Sequence, residues 1–212
     1  GSGVGIFVTG FAIGAIIGVA VGMVMAPHKG DVTRRKIVRQ AGEKRDEVME
    51  AVLSGLNEGA ESTGVSARLL VCAMRNEDPE LSEKLAALAV RYRDSGCGGF
   101  DLAGEEAGHP ANHHVRAFQL IQRENFSITI HAGESFGPES IWQALQYCGA
   151  HRIGHGVRLI EDVVLYEGKV IKVGSLAQYV LDHRIPLELC LSSNLHTGAT
   201  ESLEAHPFPV LW

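Results

Sequence analysis

Short β-type runs alternate with helical patterns through residues 47–212, and this alternation restricts the fold more than any other feature of the sequence. Five runs that end in small or polar residues predict strands at 68–74, 98–102, 127–131, 152–155 and 187–191. Helical patterns cover 46–61, 79–92, 112–124, 138–148 and 173–182. One strand and one helix every 25–35 residues or so is typical of βαβ units around a parallel sheet. The predicted fold class is therefore α/β.

Two α/β architectures fit this rhythm, an open doubly wound sheet and a closed barrel. No Gly-x-Gly-x-x-Gly follows any predicted strand, so nothing favours a dinucleotide-binding sheet. Several strands end in histidine, or in aspartate followed by glycine and acids, as expected where a (β/α)8 barrel assembles its active site. A complete barrel takes about 250 residues, so we expect a partial (β/α)8 TIM-type barrel of about five strand–helix units over 47–212.

The first 27 residues carry no charged side chain. At about 1.5 Å per residue, a helix over residues 3–26 is long enough to cross a bilayer. Within it, glycines at every fourth position predict a stripe for close helix packing, and these are Gly10, Gly14, Gly18 and Gly22. We therefore expect a glycine-rich transmembrane helix over 1–27, although a buried helix of a soluble protein is the alternative.

A basic segment follows the apolar one. Residues 1–45 hold seven Lys/Arg against two acids, and residues 46–212 hold twelve against twenty-three. We interpret 28–46 as a basic amphipathic linker helix, and the positive-inside rule places everything after Pro27 in the cytoplasm. This N-terminal part, with Ala26, Pro27 and Gly30 at the junction, resembles the YtxH-like small bacterial membrane proteins.

The acidic remainder of the chain argues against nucleic acid as a partner, because phosphate binding needs a positive face. Four cysteines occur without any Cys-x-x-Cys pair. They predict reduced, buried thiols, with a disulfide or a zinc knuckle as the alternative. These cysteines are Cys72, Cys97, Cys148 and Cys190.

Four motifs at predicted strand ends carry the candidate chemistry. His131 ends one strand and Glu134 follows three residues later, a pairing that offers a metal ligand and a proton-transfer group. His155 ends the next strand between two glycines. The other two motifs are residues 98–106, with a glycine turn and two acids, and residues 187–194. A lone strand histidine is more often a hydrogen-bonded core residue than a ligand, but four motifs at one end of a sheet favour a site.

The order GGFDLAGEE, TIHAGES, HRIGHGVRLIED, PLELCLSSN and HPFP resembles the adenosine deaminase family over about residues 47–212. The resemblance implies a zinc-dependent (β/α)8 hydrolase that converts adenosine and deoxyadenosine to inosine and deoxyinosine and releases ammonia. It implies that His131 is a zinc ligand and that Glu134 protonates purine N1 while metal-bound hydroxide attacks C6. It also implies that His155 orients the hydroxide and that the Gly104 backbone contacts the purine.

The chain departs from the family pattern at both ends. The His-x-His of the first family strand occurs nowhere in it, and the Asp pair of the eighth strand is also missing. We read His109, His113 and His114 as loop and surface residues. We therefore expect that the first two strands and the last are lacking, and that the chain alone neither holds Zn2+ tightly nor deaminates adenosine.

Three interpretations remain open at this point. The chain is a truncated or mis-joined deaminase, a membrane-anchored non-catalytic scaffold or binding protein with a deaminase remnant, or a half that regains activity with a complementing partner. Open sheet edges or the glycine stripe would favour self-association.

Overall fold

The computed structural model describes residues 45–211. The helices in this range are α1 (Arg45–Thr63), α2 (Pro79–Arg91), α3 (Val115–Arg123), α4 (Pro138–Gln146), α5 (Ser175–Asp182), α6 (Leu191–His196) and α7 (Phe208–Leu211). The strands are β1 (Leu69–Met74), β2 (Cys97–Ala103), β3 (Thr129–Ala132), β4 (Arg152–His155), β5 (Val163–Tyr166), β6 (Lys169–Val173) and β7 (Leu187–Glu188). Short 3-10 helices cover Arg93–Ser95, Ala111–His114 and Val157–Asp162.

The described residues belong to two structural units that divide between Ala67 and Arg68. Helix α1 is the described element of the first unit. It begins with two acids, Asp46 and Glu47, which suit the positive end of a helix dipole. It ends at Thr63, and the next residue, Gly64, has a φ of 73°, the left-handed conformation that terminates many helices.

The second unit is built on parallel strands. β1 pairs with β2, and β3, β4 and β7 form a second parallel set in that order. An isolated parallel bridge between Phe100 and Ile128 joins β2 to the start of β3. All five predicted strands are therefore confirmed, and the α/β class with them. The carboxyl ends of these strands point the same way, which places the candidate motifs at one edge.

Helices follow the strands because the sequence carries clear start signals. Pro79 opens α2, and the Asp78 side chain accepts a hydrogen bond from the Glu80 amide at 2.9 Å. Pro138 opens α4 in the same way, after Gly137. Both helices begin where the sequence predicts. The segment predicted as one helix from 112 starts instead as the 3-10 turn, and α3 begins at Val115.

The core of the second unit lies between one face of its sheet and its own helices. Phe100 on β2 and Phe118 on α3 are fully buried, and their ring centroids are 5.4 Å apart. Burial of each such side chain contributes about 1.5–3 kcal/mol. The opposite face of the sheet carries alternating residues that stay accessible, among them Leu70 and Cys72 on β1.

Two expectations about burial need correction. Cys97 and Cys148 are buried, but Cys72 and Cys190 are exposed, because they lie on the open sheet face and at the end of β7; all four are free thiols. His114 is not a surface residue: it is 1% exposed. Its Nδ1 pairs with the Ser82 hydroxyl at 2.8 Å and its Nε2 with the Arg75 carbonyl at 3.0 Å.

The strand predicted over 187–191 is also shorter than expected. Pairing stops after Glu188, and α6 starts at Leu191. The cause is local: the Asn194 side-chain oxygen accepts a hydrogen bond from the Cys190 amide at 3.2 Å, which turns the chain into the helix.

None of the helices within residues 45–211 combines the length and the hydropathy that crossing a bilayer requires. The span predicted over residues 3–26, with its glycine stripe, lies outside the described residues. The basic segment predicted over 28–46 also lies outside them, except for the first two residues of α1.

Candidate active site

The carboxyl ends of β2, β3 and β4 bring two histidines and an aspartate together. β3 and β4 pair in parallel register, so that Ala132 lies opposite His155. The His131 and His155 rings are 5.2 Å apart between centroids. On the other side, His131 Nδ1 lies 3.0 Å from a carboxylate oxygen of the buried Asp101. The predicted strand-end histidines therefore share one site.

Glu106 positions the loop that carries Glu134. Its carboxylate is buried and accepts three backbone N–H bonds from consecutive residues of that loop: Gly133 at 2.8 Å, Glu134 at 2.9 Å and Ser135 at 3.0 Å. Carboxylates satisfied by amides in this way are strongly held. Glu106 thus fixes the backbone from which the Glu134 side chain projects.

Arg75 ties the end of β1 to the same region. Its buried guanidinium donates to the His131 carbonyl at 2.8 Å and to the His109 carbonyl at 2.9 Å. The nearby Glu106 carboxylate supplies the opposite charge. Arg75 therefore holds the end of the strand that carries His131, and Glu106 holds the loop that carries Glu134.

Glu134 and His155 meet directly. Glu134 Oε1 lies 3.3 Å from His155 Nδ1, and it accepts hydrogen bonds from the Asn194 amide and the Thr197 hydroxyl, each at 3.0 Å. Both side chains are mostly withdrawn from solvent, with 19% and 9% exposed. A carboxyl group and an imidazole in such contact are the components of general acid–base chemistry.

The backbone at His155 adopts an uncommon conformation. Its φ is 65°, in the left-handed region that β-carbon-bearing residues seldom occupy, and Gly156 follows with a φ of 69°. Hydrogen bonds hold this turn, among them one from the Gly156 amide to the Ala132 carbonyl at 3.0 Å. Backbone strain of this kind concentrates at functional sites, and here it turns the His155 side chain toward Glu134.

The two histidines differ in electrostatic environment. The hydrogen bond that His131 donates to the Asp101 carboxylate raises the pKa of His131, and burial opposes this rise. Burial lowers the pKa of His155, and the Glu134 carboxylate opposes that fall. The surroundings therefore stabilise the protonated form of His131 more than that of His155.

The structure thus brings three of the four predicted site residues together: His131, Glu134 and His155. Gly104 lies just beyond β2, beside the end of β1. It has a φ of 102°, and a Cβ there would lie 3.2 Å from Met74 Cε and 3.5 Å from the Arg75 amide. A residue other than glycine would be strained at this position. Its predicted contact with the purine stays a prediction.

Sequence reasoning assigned no individual role to Asp101, Glu106 or Asn194, although all three lie in the quoted motifs. For Asp101 there was a usable signal, a lone charge inside an apolar strand, since buried charges are paired. For Glu106 and Asn194 there was none, because their partners lie 27–29 and 39–60 residues away in the chain.

A zinc site is only partly present in the described residues. His131 has the form of a ligand, since its Nδ1 is held by a carboxylate and its Nε2 remains for a metal. However, within residues 45–211 no three His, Cys, Asp or Glu side chains are grouped closely enough to hold an ion. A catalytic zinc needs about three protein ligands, so these residues alone do not fit the metal.

The sequence model of the adenosine deaminase family matches residues 21–212. The chain belongs to the adenosine deaminase family. The match begins inside the segment whose composition predicts a membrane span, before the boundary at residue 47. It confirms the family assignment made from the strand-end motifs.

Members and structural neighbours of the adenosine deaminase family agree with this assignment. Adenosine deaminase 1 of Streptomyces coelicolor is 53% identical over 171 residues, which are 78% of this chain and 43% of that protein. The adenosine deaminase of Mycobacterium leprae is 48% identical over 171 residues, 78% of this chain and 47% of that protein. The chain therefore spans about half the length of the curated relatives it matches.

Solved structures share the fold. The adenine deaminase of Arthrobacter aurescens superposes with a TM-score of 0.69 at 24% identity, over 81% of this chain and 50% of that one. The Arabidopsis ADAL protein, solved with IMP, gives a TM-score of 0.62 at 30% identity, over 77% of this chain and 46% of that one.

Proposed function

We propose that residues 47–212 form the proton-transferring part of an adenosine deaminase, built as a portion of a (β/α)8 barrel. One observation carries the proposal: Glu134 Oε1 lies 3.3 Å from His155 Nδ1, and the His155 ring lies 5.2 Å from that of His131, at the ends of adjacent parallel strands. Membership of the family and the relatives named adenosine deaminases support it.

The reaction is hydrolytic removal of the amino group from C6 of adenosine or deoxyadenosine. A water oxygen bonds to C6, the C6–N bond breaks, and ammonia leaves. Glu134 delivers a proton to purine N1, which makes C6 electrophilic. One proton of the attacking water then returns Glu134 to its protonated form. The second water proton goes to the departing amino group. His155 holds the attacking oxygen by a hydrogen bond.

Zinc enters the proposal only through His131. The other ligands would come from outside residues 45–211, because the described side chains do not supply them. No step above is assigned to the metal. We propose that purine nucleosides are the substrates, in line with the names of the curated relatives.

A chimera tests the function. The matching segment of the Streptomyces coelicolor enzyme would be replaced by residues 47–212, and adenosine conversion to inosine followed by ultraviolet absorbance. We expect turnover, and a loss of at least about 100-fold on Glu134→Gln, in keeping with the usual contribution of a proton donor. Glu105→Gln is the matched control, since that carboxylate is 70% exposed. A folded chimera that is inactive, or in which Glu134→Gln changes nothing, would refute the proposal.

The 212-residue chain by itself should behave differently. We expect less than one zinc per chain after dialysis and no steady conversion of adenosine, because one candidate ligand is described where about three are needed. Metal analysis and the same absorbance assay check this expectation. A stoichiometric zinc with steady turnover would contradict it.

We also propose membrane attachment through residues 3–26, with the deaminase part in the cytoplasm. The support is the charge-free sequence followed by a basic segment. Expression with and without residues 1–44, followed by membrane fractionation, is the test. Recovery of the full chain in the soluble fraction without detergent would overturn the proposal.

A further inference from the structure

Asn194 lies at the centre of a buried hydrogen-bond network. It is 0% exposed and is the fourth residue of α6. Its Nδ2 lies 3.0 Å from Glu134 Oε1 and 3.0 Å from His155 Nδ1, so that one amide group touches both side chains of the proposed acid–base pair. Its Oδ1 faces the Cys190 amide at 3.2 Å and His206 Nε2 at 3.3 Å.

The orientation of this amide is set by partners with only one possible role. The Cys190 backbone N–H can only donate, so the Asn194 atom that faces it must be the oxygen. His206 supports the same orientation. Its Nδ1 accepts from the Phe208 backbone N–H at 3.0 Å, so a neutral His206 carries its proton on Nε2 and donates it to Asn194 Oδ1. The HPFP motif thus anchors the network.

The consequence reaches both members of the pair. With Oδ1 directed at Cys190 and His206, the two Asn194 N–H groups are available to Glu134 Oε1 and His155 Nδ1. With an Asn194 N–H group directed at it, a neutral His155 accepts at Nδ1 and carries its ring proton on Nε2, so its 3.3 Å contact with Glu134 Oε1 is a close approach and not a hydrogen bond. Glu134 Oε1 already accepts from Asn194 and from Thr197, so in the acid form the proton lies on Oε2.

We propose that Asn194 is a positioning residue that assigns these protons: it makes Nδ1 of His155 and Oε1 of Glu134 acceptors, and thereby reserves Nε2–H and Oε2 for the substrate. The assignment rests on the proposed function for its chemical meaning. Its structural content, the tautomer of His155, stands independently and can be measured without turnover.

The first experiment needs no substitution. Two-bond 1H–15N correlation spectra of the full chain, at a pH where free imidazole is neutral, distinguish protonated from unprotonated ring nitrogens. We expect Nε2–H for both His155 and His206, with assignment by His155→Phe and His206→Phe spectra. A proton on Nδ1 of His155 would overturn the proposal whether or not any variant folds.

The second experiment replaces the side-chain amide of Asn194 with a carboxylate. In Asn194→Asp an oxygen replaces the N–H groups that face His155, so Nδ1 should gain a proton and donate it. Asn125→Asp makes the same chemical change at an exposed residue and should leave the His155 spectrum unchanged. A folded Asn194→Asp protein, checked by circular dichroism, in which His155 keeps Nε2–H would refute the proposal.

A kinetic arm separates this inference from the function beneath it. In the Streptomyces chimera we expect Asn194→Asp to lower kcat about 100-fold with KM changed less than about threefold, since proton transfer and not binding is affected. An inactive chimera whose spectra are as expected would refute only the proposed function. An active chimera would refute only the role of Asn194 if His155 had the other tautomer, or if Asn194→Asp changed KM and left kcat unchanged.

Discussion

Three carboxylates at one edge of the sheet, those of Asp101, Glu106 and Glu134, differ in role because they have different partners. Asp101 faces the His131 imidazole, Glu106 accepts three backbone amides, and Glu134 accepts from an amide and a hydroxyl side chain. Glu134 lies 3.3 Å from the His155 imidazole, and the hydrogen bonds that its side chain accepts from the described residues all reach Oε1, which leaves Oε2 for a substrate. The same functional group therefore serves as orienter, anchor and proposed proton donor.

Glu106→Gln should destabilise the protein by about 1–3 kcal/mol, because its NH2 group would face at least one backbone N–H and leave that donor buried without an acceptor. Urea denaturation measures the change. Glu105→Gln is the adjacent control, since its side chain is 70% exposed and lies 4.0 Å from His109. Equal effects of the two substitutions would contradict the anchoring role of Glu106.

At the level of elements, periodicity predicts most of this fold. The five parallel strands and the helices between them follow from alternation and helix-start signals. The sequence patterns do not predict the antiparallel hairpin β5–β6. Glu167 and Gly168 form its two-residue turn, with φ of 49° and 74°. Such hairpin turns are usually predicted from Asn-Gly, Asp-Gly or Gly-Gly, and Glu-Gly is not one of these pairs. The β7–α6 boundary was missed because a side chain, Asn194, sets it.

The candidate site was predictable in part. His131, Glu134 and His155 could be placed together because parallel strands end at one edge. The clamp by Glu106 and the network around Asn194 could not, since a sequence pattern does not reveal which distant backbone amides a carboxylate will meet. Their positions follow from loop conformations that form only in the folded chain.

Gly154 on β4 shows how closely the strands constrain the site. A Cβ at this position would lie 3.1 Å from His131 Cγ and 3.2 Å from His131 Cα. Gly154→Ala should therefore displace the imidazole from Asp101 and cost about 1–3 kcal/mol. The change in the His131 NMR signals and the urea midpoint check this.

Gly98→Ala on β2 is the matched control for Gly154→Ala. There the nearest atoms are Cβ of Arg68 at 3.0 Å and Cδ of Arg68 at 3.2 Å, so the added methyl group crowds Arg68 and not the His131 imidazole. We therefore expect no change in the His131 signals. A similar shift of the His131 signals in both variants would rule out steric pressure from Gly154 as the cause.

The stability of the whole molecule should depend on pH through His114, which joins α2 to the end of β1. Burial lowers the pKa of His114 in the folded state. Between that lowered value and the ordinary value of about 6.5 the unfolded chain binds more protons, so this contribution is complete above about 6.5 and is lost as the pH falls. His155 and His206, whose pKa values burial also lowers, act in the same direction.

Urea denaturation at about pH 5 and about pH 7.5 measures this dependence. His114→Gln should reduce the difference between the two, because Gln does not titrate. His183→Gln replaces a histidine at an exposed position and serves as the comparison. An unaltered pH dependence in His114→Gln would contradict the assignment.

The isolated bridge between β2 and β3 has a wider consequence. At this seam the backbone ladder is thin, and the Asp101–His131 pair spans it a short distance further along. The Asp101–His131 pair thus both links β2 to β3 and belongs to the candidate active site. A substitution at either residue changes the stability of the sheet and the chemistry of the site together, so these two positions should tolerate substitution least.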